Sequence, residues 1–170
     1  MKVCTFTGHR PHKFPWKFDE GDPRCQKLKQ ELAKSILSAI ASGYDYFIAG
    51  GSLGVDMWAA ETVLKYRDIY GLSLEIALPF AGFNESLDDI YTKRQQEILA
   101  RADKVTVVSS VSDLKNAYRK RNQYMVEHSS RLIAVFNPKQ IYSGTAQTVR
   151  MAQKAKLEIV QLDIALPDIL

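Results

Sequence analysis

Short apolar segments alternate with amphipathic segments of helical period along the whole chain, and this alternation constrains the fold most strongly. Strands are predicted over residues 2–6, 46–49, 74–78, 104–108, 132–136 and 158–162, with helices in the intervals between them. Strands that are apolar on both faces are typical of a parallel sheet covered by helices. The sequence therefore predicts an α/β fold: a single doubly wound, mainly parallel, Rossmann-like sheet with helices on both faces, formed by residues 1–170 as one domain.

The composition is that of a globular protein. Of its 170 residues 46% are hydrophobic, which is enough for a packed core and too many for a chain that is disordered throughout. No apolar run approaches the roughly 18 residues of a membrane-spanning helix, and the apolar stretch after Lys2 is too short for a signal peptide. We therefore expect a cytoplasmic protein without a membrane partner, in which Cys4 and Cys25 are reduced thiols. Self-association into a homo-oligomer stays open.

The balance of charge favours anionic partners, namely nucleotides or nucleic acid. The chain carries 23 Lys and Arg against 19 Asp and Glu, a formal net charge of +4. A basic cluster without a nearby acid is formed by Lys115, Arg119, Lys120 and Arg121; it suggests nucleic acid, and its alternative interpretation is a solvated helix face. The three histidines and two cysteines show no zinc-binding spacing, so no metal site is predicted.

A glycine-rich turn joins the second predicted strand to the following helix. It contains Gly50, Gly51, Ser52, Gly54 and, in the first helical turn, Asp56. Ligands of open α/β sheets bind at the carboxyl ends of the strands, where glycine amides and a helix N-terminus can hold a phosphate. Ser52 is expected to cap the helix or bond a phosphate oxygen, and Asp56 to bond a ribose hydroxyl or its own helix N-terminus. The alternative is a tight turn whose glycines only permit close packing, since the spacing matches neither the dinucleotide motif nor the P-loop.

Two further turns of this kind follow the first and the fifth predicted strands. The first comprises Thr7, Gly8, His9 and Arg10, and the second comprises Ser143, Gly144 and Thr145. A hydroxyl, a glycine backbone and a guanidinium suit a phosphate or a carboxylate; in the alternative, Arg10 and His9 point into water. The first turn also opens a long irregular segment, residues 8–21, which is a candidate functional loop.

Two polar positions on the predicted helices add candidates for ligand binding. Asn122, beside Arg121, shares an apolar stripe and needs a hydrogen-bond partner, which is either a ligand or a cap or loop carbonyl. Arg94 lies on the inner stripe of its helix, where it can reach an anionic ligand or extend towards solvent.

The acids and aromatic residues near the expected cleft define the remaining candidates. The acids are Asp56, Glu61 and Glu85, of which Asp56 and Glu61 are the candidates for acid–base chemistry. Trp58 and Phe80 either stack on a base or belong to the core.

At these residues the sequence resembles the YpsA-like family, part of the SLOG superfamily that joins the DNA-processing protein DprA/Smf with the LOG phosphoribohydrolases. The motifs that carry the resemblance are T-G-H-R at 7–10, G-G-S-L-G-V-D-M-W-A-A-E at 50–61, R-N-Q at 121–123 and S-G-T at 143–145. The resemblance covers nearly the whole chain. It implies a Rossmann-like fold with a pocket for a nucleotide or a nucleotide-derived ligand of the ADP-ribose type. It also implies a regulatory role in cell division or stress, without an established enzymatic activity.

The chain departs from two branches of this superfamily. LOG enzymes carry a P-G-G-x-G-T-x-x-E motif with a catalytic Glu, whereas here Gly144-Thr145 continues as Ala146-Gln147-Thr148 and no acid stands at the matching position. Compared with DprA, we expect neither an extra domain nor an extended basic surface of the kind that single-stranded DNA binding needs. The leading hypothesis is therefore a protein that binds or senses a phosphorylated nucleotide-type small molecule, with no further cofactor. The alternatives are a LOG-type hydrolase of nucleoside monophosphates and a DprA-like nucleic-acid-binding module.

Overall fold

The computed structural model describes residues 1–84 and 88–163, and within them six strands alternate with five α-helices. The strands are β1 (Val3–Gly8), β2 (Tyr46–Ala49), β3 (Ser73–Leu78), β4 (Lys104–Val107), β5 (Arg131–Phe136) and β6 (Glu158–Asp163). The helices are α1 (Pro23–Ala41), α2 (Val55–Tyr70), α3 (Asp89–Arg101), α4 (Leu114–Glu127) and α5 (Gly144–Lys154). Every predicted strand is present, and each coincides with a short apolar or β-branched run in the sequence.

The strands form one parallel sheet of order β4-β3-β2-β1-β5-β6. The chain adds strands outward from β1 to β4, and then returns to the other side of β1 to add β5 and β6. The predicted doubly wound α/β architecture is therefore confirmed. The direction of winding reverses between β1 and β5, where Gly8 pairs with Val135. Such a switch point opens a crevice at the carboxyl ends of the two strands.

Alternate side chains of the central strands enter separate cores on the two faces of the sheet. In β5, Ile133 belongs to the larger core, which includes residues of α1, α2 and α3, whereas Leu132 belongs to a smaller core with residues of α4 and α5. The edge strand β4 differs from the expectation of burial on both faces: Val105 and Val107 are 43% and 48% exposed. The reason is that β4 has a neighbouring strand on one side only.

Aromatic side chains anchor the irregular segment between β1 and α1 to the core. The segment contains a short 3₁₀ helix, Pro11–Lys13, and ends at Asp22, whose carboxylate caps α1 by accepting the amide of Arg24. The ring of Phe14 stacks on Trp16 and on Trp58, with centroid distances of 4.8 and 5.7 Å. All three rings are buried, so Trp58 belongs to the core.

None of the described helices is both long and apolar enough to cross a membrane. Cys4 and Cys25 are free thiols, and both are buried. Burial raises the pKa of Cys25 to about 11, so this thiol stays protonated at neutral pH and is a poor nucleophile.

Candidate functional site

A cavity of about 350 Å³ opens at the switch point between β1 and β5. Its described lining residues are Phe6, Thr7, Gly8, His9, Arg10, His12, Lys13, Ser52, Asp56, Arg121, Asn122, Tyr142, Ser143, Gly144 and Thr145. Ligands of open α/β sheets bind at such a position, and small-molecule sites have volumes of about 300–1,000 Å³. Position and size therefore make this cavity the candidate functional site.

The structure brings most of the predicted site residues together at this cavity. The turns after β1 and β5 contribute all of their predicted members, and α4 contributes its Arg-Asn pair. From the glycine-rich turn after β2, Ser52 and Asp56 line the cavity, whereas Gly50, Gly51 and Gly54 are not among the lining residues.

Arg94 lies outside the cavity, where it contacts carboxylates of the protein. Its guanidinium donates to Glu61 at 2.8 and 2.9 Å and to Glu20 at 2.6 and 3.2 Å. The hydrogen bonds to Glu61 and Glu20 hold the pKa of Arg94 above its usual value. Arg94 thus ties α3 to α2 and to the segment after β1. Glu61 is likewise absent from the described lining of the cavity, and Glu85 lies outside the described residues.

Arg121 turns from α4 into the protein and holds the glycine-rich turn. Arg121 is 4% exposed. Its guanidinium donates to the carbonyl oxygen of Gly50 and, at 3.3 Å, to the hydroxyl of Ser52. The same guanidinium lies 3.9 Å from the carboxylate of Asp56. Its Nε also donates to the side-chain oxygen of Asn122 at 2.8 Å, which orients that amide at the cavity wall. Arg121 is therefore the centre of the polar wall that α4 and the turn form together.

The rest of the basic cluster on α4 stays at the surface. Lys115, Arg119 and Lys120 are exposed, and Lys120 forms an ion pair with Asp113. The prediction of a cluster without a nearby acid is therefore wrong, because the residue that precedes α4 supplies a carboxylate.

The turn after β2 packs tightly against its surroundings. The carboxylate of Asp56 accepts a hydrogen bond from the amide of Ser52, in the turn that precedes α2, at 3.4 Å. A Cβ on Gly50 would lie 2.5 Å from this carboxylate, and a Cβ on Gly54, where φ is +82°, would lie 2.9 Å from the carbonyl oxygen of His9. These two glycines permit close packing, which was the alternative interpretation of this turn.

His9 connects the two loops at the switch point. It is 3% exposed, and its Nε2 accepts a hydrogen bond from the backbone N–H of Asn137 at 3.2 Å. The ring is therefore neutral, with its proton on Nδ1. Burial, and then the charges of Lys13 and His12, lower the pKa of His9 to about 4. The Phe14 ring packs against the His9 ring at an angle of 71°, and His9 is buried, so it does not point into water.

An aromatic cluster positions Arg10 at the cavity. The guanidinium carbon of Arg10 lies 5.0 Å from the centroid of the Tyr118 ring, which is a cation–π contact. Tyr118 packs edge-to-face against Phe80 and Phe83, with centroid distances of 6.2 and 5.8 Å. Phe80 is half-buried and supports Tyr118, and it is not among the cavity-lining residues.

The N-terminus of α5 forms the opposite wall of the cavity. Ser143 caps the helix, since its hydroxyl oxygen accepts a hydrogen bond from the amide of Ala146 at 3.0 Å. A Cβ added at Gly144 would meet no atom within 4 Å, so this wall is open. A helix N-terminus carries a partial positive charge, which favours an anion here.

Four residues that the sequence interpretation did not single out also line the cavity: Phe6, His12, Lys13 and Tyr142. His12 and Lys13 belong to the 3₁₀ helix in the predicted functional loop, and Tyr142 directly precedes the predicted Ser-Gly-Thr turn. Their proximity in the sequence to predicted site residues could therefore have indicated that they line the site.

The charges of the lining residues favour an anionic ligand. Among the described residues around the cavity, Asp56 is the one carboxylate, and Arg121 faces it. Arg10 and Lys13 add two further positive charges. Across the described part of the chain, no group of three His, Cys, Asp or Glu side chains is placed to hold a metal ion.

The fold resembles that of DNA-processing proteins. The X-ray structure of DprA from Streptococcus pneumoniae matches with a TM-score of 0.66 and 15% identity, over 98% of this chain and 52% of that chain. The DprA of Helicobacter pylori, described for its single-stranded DNA binding mode, matches with a TM-score of 0.65 and 20% identity, over 98% of this chain and 67% of that chain. This chain therefore spans between about half and two thirds of those proteins, and the likeness shows the fold.

Sequence comparison places the chain in a family. It is 28% identical over 140 residues to a UPF0398 protein of Bacillus pumilus (strain SAFR-032), which is 81% of this chain and 75% of that protein. It is 28% identical over 161 residues to a UPF0398 protein of Bacillus cereus (strain B4264), which is 94% of this chain and 86% of that protein. The YpsA family model, described as the YspA SLOG family, matches residues 4–166. The resemblance predicted from the sequence motifs is thus confirmed, and the chain belongs to the YpsA family of SLOG proteins.

Proposed function

We propose that this protein binds a phosphorylated, nucleotide-type small molecule in the cavity at the switch point. The observation that carries the proposal is the convergence of two loops that are far apart in the sequence. Arg10 and Lys13 follow β1, the N-terminus of α5 follows β5, and all of them line one cavity. Membership of the SLOG family and the DprA-like fold support a nucleotide- or nucleic-acid-binding module.

The phosphate of such a ligand would lie at the first turn of α5. The hydrogen-bond donors there would be the amides of Gly144 and Thr145 and the Thr145 hydroxyl. Gly144 leaves room for an anion beside them. Arg10 would add a charged donor from the other loop, held in place by its contact with Tyr118. Asn122, whose oxygen accepts from Arg121, would offer its NH₂ group to the sugar.

Titration calorimetry with AMP, ADP-ribose, NAD and cyclic dinucleotides tests this proposal. Arg10→Ala should weaken binding of the active ligand about tenfold or more, since a hydrogen bond to a charged group contributes about 1.5–3 kcal/mol. Arg101→Ala is the matched control, because it removes an equal charge from an exposed position at the end of α3, outside the cavity. Circular dichroism checks that both variants fold. Absence of binding for every ligand, or equal affinities in the two variants, would contradict the proposal.

A second candidate function is binding of single-stranded nucleic acid at the same edge of the sheet. The fold is similar to that of the Helicobacter pylori DprA, which is described as binding single-stranded DNA, and Lys115 and Arg119 are exposed on α4. This function predicts that the logarithm of the affinity for an oligonucleotide falls by about 0.7 per phosphate contact for each tenfold rise in salt. A flat salt response in fluorescence anisotropy would exclude it. The LOG-type hydrolase has less support: of its two candidate acids, Glu61 is bound by Arg94 and is absent from the described cavity lining, and Asp56 lines the cavity but faces Arg121.

A further inference from the structure

Tyr142 is an aromatic side chain that stands in solvent at the cavity. It is 95% exposed, and it nevertheless belongs to the cavity lining. Its neighbour Ile141 is 54% exposed. Scattered exposed apolar residues are common, but an exposed aromatic ring at a basic cavity offers a face on which a planar group can stack.

The loop that carries Tyr142 is held in place by hydrogen bonds. Arg150 of α5 donates to the carbonyl oxygen of Ile141 at 2.8 Å, and the amide of Gln140 donates to the carbonyl oxygen of Asn137 at 3.0 Å. The amide of Asn137 in turn donates to Nε2 of His9, which lines the cavity. These bonds anchor the backbone before Tyr142, and Ser143, directly after it, caps α5, so the ring extends from a segment that is held on both sides.

The position of Tyr142 relative to α5 suits the base of a nucleotide. Because consecutive Cα atoms lie 3.8 Å apart, the Cα atom of Tyr142 lies within about 8 Å of the Cα atom of Gly144, where the phosphate is proposed to bind. Both residues line the same cavity, so a ligand whose phosphate lies at Gly144 can extend its base towards the Tyr142 ring. The cavity volume of about 350 Å³ stands at the lower end of the range for small-molecule sites, which suits one nucleotide better than two.

From these observations we infer that Tyr142 stacks on the base of the bound ligand, so that the cavity selects a nucleoside monophosphate over the corresponding sugar phosphate. The inference rests on the proposed function, because it requires a phosphorylated ligand at α5. The contacts of the phosphate with α5 would determine where the ligand lies. Stacking on the Tyr142 ring would distinguish a ligand that carries a base from one that does not. A sugar phosphate would leave the ring in water.

Calorimetry with AMP, GMP, CMP, UMP and ribose 5-phosphate, on the wild-type protein, Tyr142→Ala and Tyr142→Phe, tests the inference. Tyr142→Ala should weaken nucleotide binding about tenfold, within the range measured for one base–aromatic stack, and should leave the affinity for ribose 5-phosphate unchanged. Tyr142→Phe keeps the ring and should bind as the wild type does. The ring is exposed, so neither substitution should disturb the fold, and circular dichroism verifies this.

The outcomes separate this inference from the proposed function. If the wild-type protein binds ribose 5-phosphate as tightly as the nucleotides, or if Tyr142→Ala weakens both ligand types equally or neither, the stacking role is refuted and phosphate binding stands. If the wild-type protein binds neither nucleotides nor ribose 5-phosphate, both proposals are refuted.

Discussion

Replacement of His9 by Gln should remove a large part of the pH dependence of stability in weakly acidic solution. In the folded protein, Nε2 of His9 accepts the amide hydrogen of Asn137, and protonation would turn this acceptor into a donor. Burial, with Lys13 and His12 adding positive charge nearby, lowers the pKa of His9 to about 4. The side-chain oxygen of Gln can accept the same hydrogen bond without titrating.

The magnitude follows from the pKa of His9 in the two states. The unfolded chain protonates this histidine at its ordinary pKa of 6.5, and the folded protein protonates it at about 4. Between these values the unfolded state binds more protons, so the contribution of His9 to the free energy of unfolding is present above pH 6.5 and is lost as the pH falls to about 4. At about 1.4 kcal/mol per pKa unit, the whole window amounts to roughly 3 kcal/mol, of which about 2 kcal/mol is lost at about pH 5.

Urea unfolding of the wild type and of His9→Gln at pH 7.5 and pH 5 measures this difference. Titration of the other groups is common to both proteins and cancels when the two changes in unfolding free energy are subtracted. The proton resonance of the His9 ring, identified by its absence in His9→Gln, reports the pKa directly. Equal pH dependence in the two proteins, or a folded-state pKa near 6.5, would refute the reasoning from burial and the Asn137 hydrogen bond.

Two further predictions concern packing around the cavity. Gly8→Ala would place a Cβ 2.5 Å from the Cβ of Val55, so the free energy of unfolding should fall by about 1–3 kcal/mol, whereas Gly144→Ala, whose Cβ meets no atom within 4 Å, should change it little. Urea unfolding compares the two, and equal stabilities would contradict the close approach of β1 to α2. Arg121→Met should destabilise the protein by about 3–5 kcal/mol, because it removes the cation that faces the buried Asp56 carboxylate. Asp56→Asn should lower the free energy of unfolding less in the Arg121→Met protein than in the wild type. Strictly additive losses of stability in this double-mutant cycle would show that the two side chains do not interact.

The elements and the candidate turns could be predicted because their signals are local. Asp22 followed by Pro23 marks the start of α1, and the structure shows the Asp22 carboxylate accepting the amide of Arg24. The turns after β1 and β5 were recognisable because the apolar runs stop at Gly8 and near Asn137, and ligands of parallel sheets bind where strands end.

The partners of the buried charged residues could not be predicted, because they come from distant parts of the chain. Periodicity correctly placed Arg94 on the inner stripe of α3, but its two carboxylate partners lie 33 and 74 residues away in the sequence. Likewise, Arg121 was grouped with exposed basic residues, and the phase of α4 against the sheet turns it towards Gly50, which is 71 residues away. A helical pattern specifies which face is buried, and it does not specify what that face meets.

Hydrophobic spacing and turn residues in the chain were sufficient for the α/β architecture and the strand ends, because both depend on neighbouring residues, and the family followed from the resemblance of its motifs. The strand order was decided only in three dimensions, since a strand can be added on either side of an existing sheet and non-local packing selects the side. That choice brings β5 beside β1, joins His9 to Asn137 across 128 residues, and encloses the cavity between their loops.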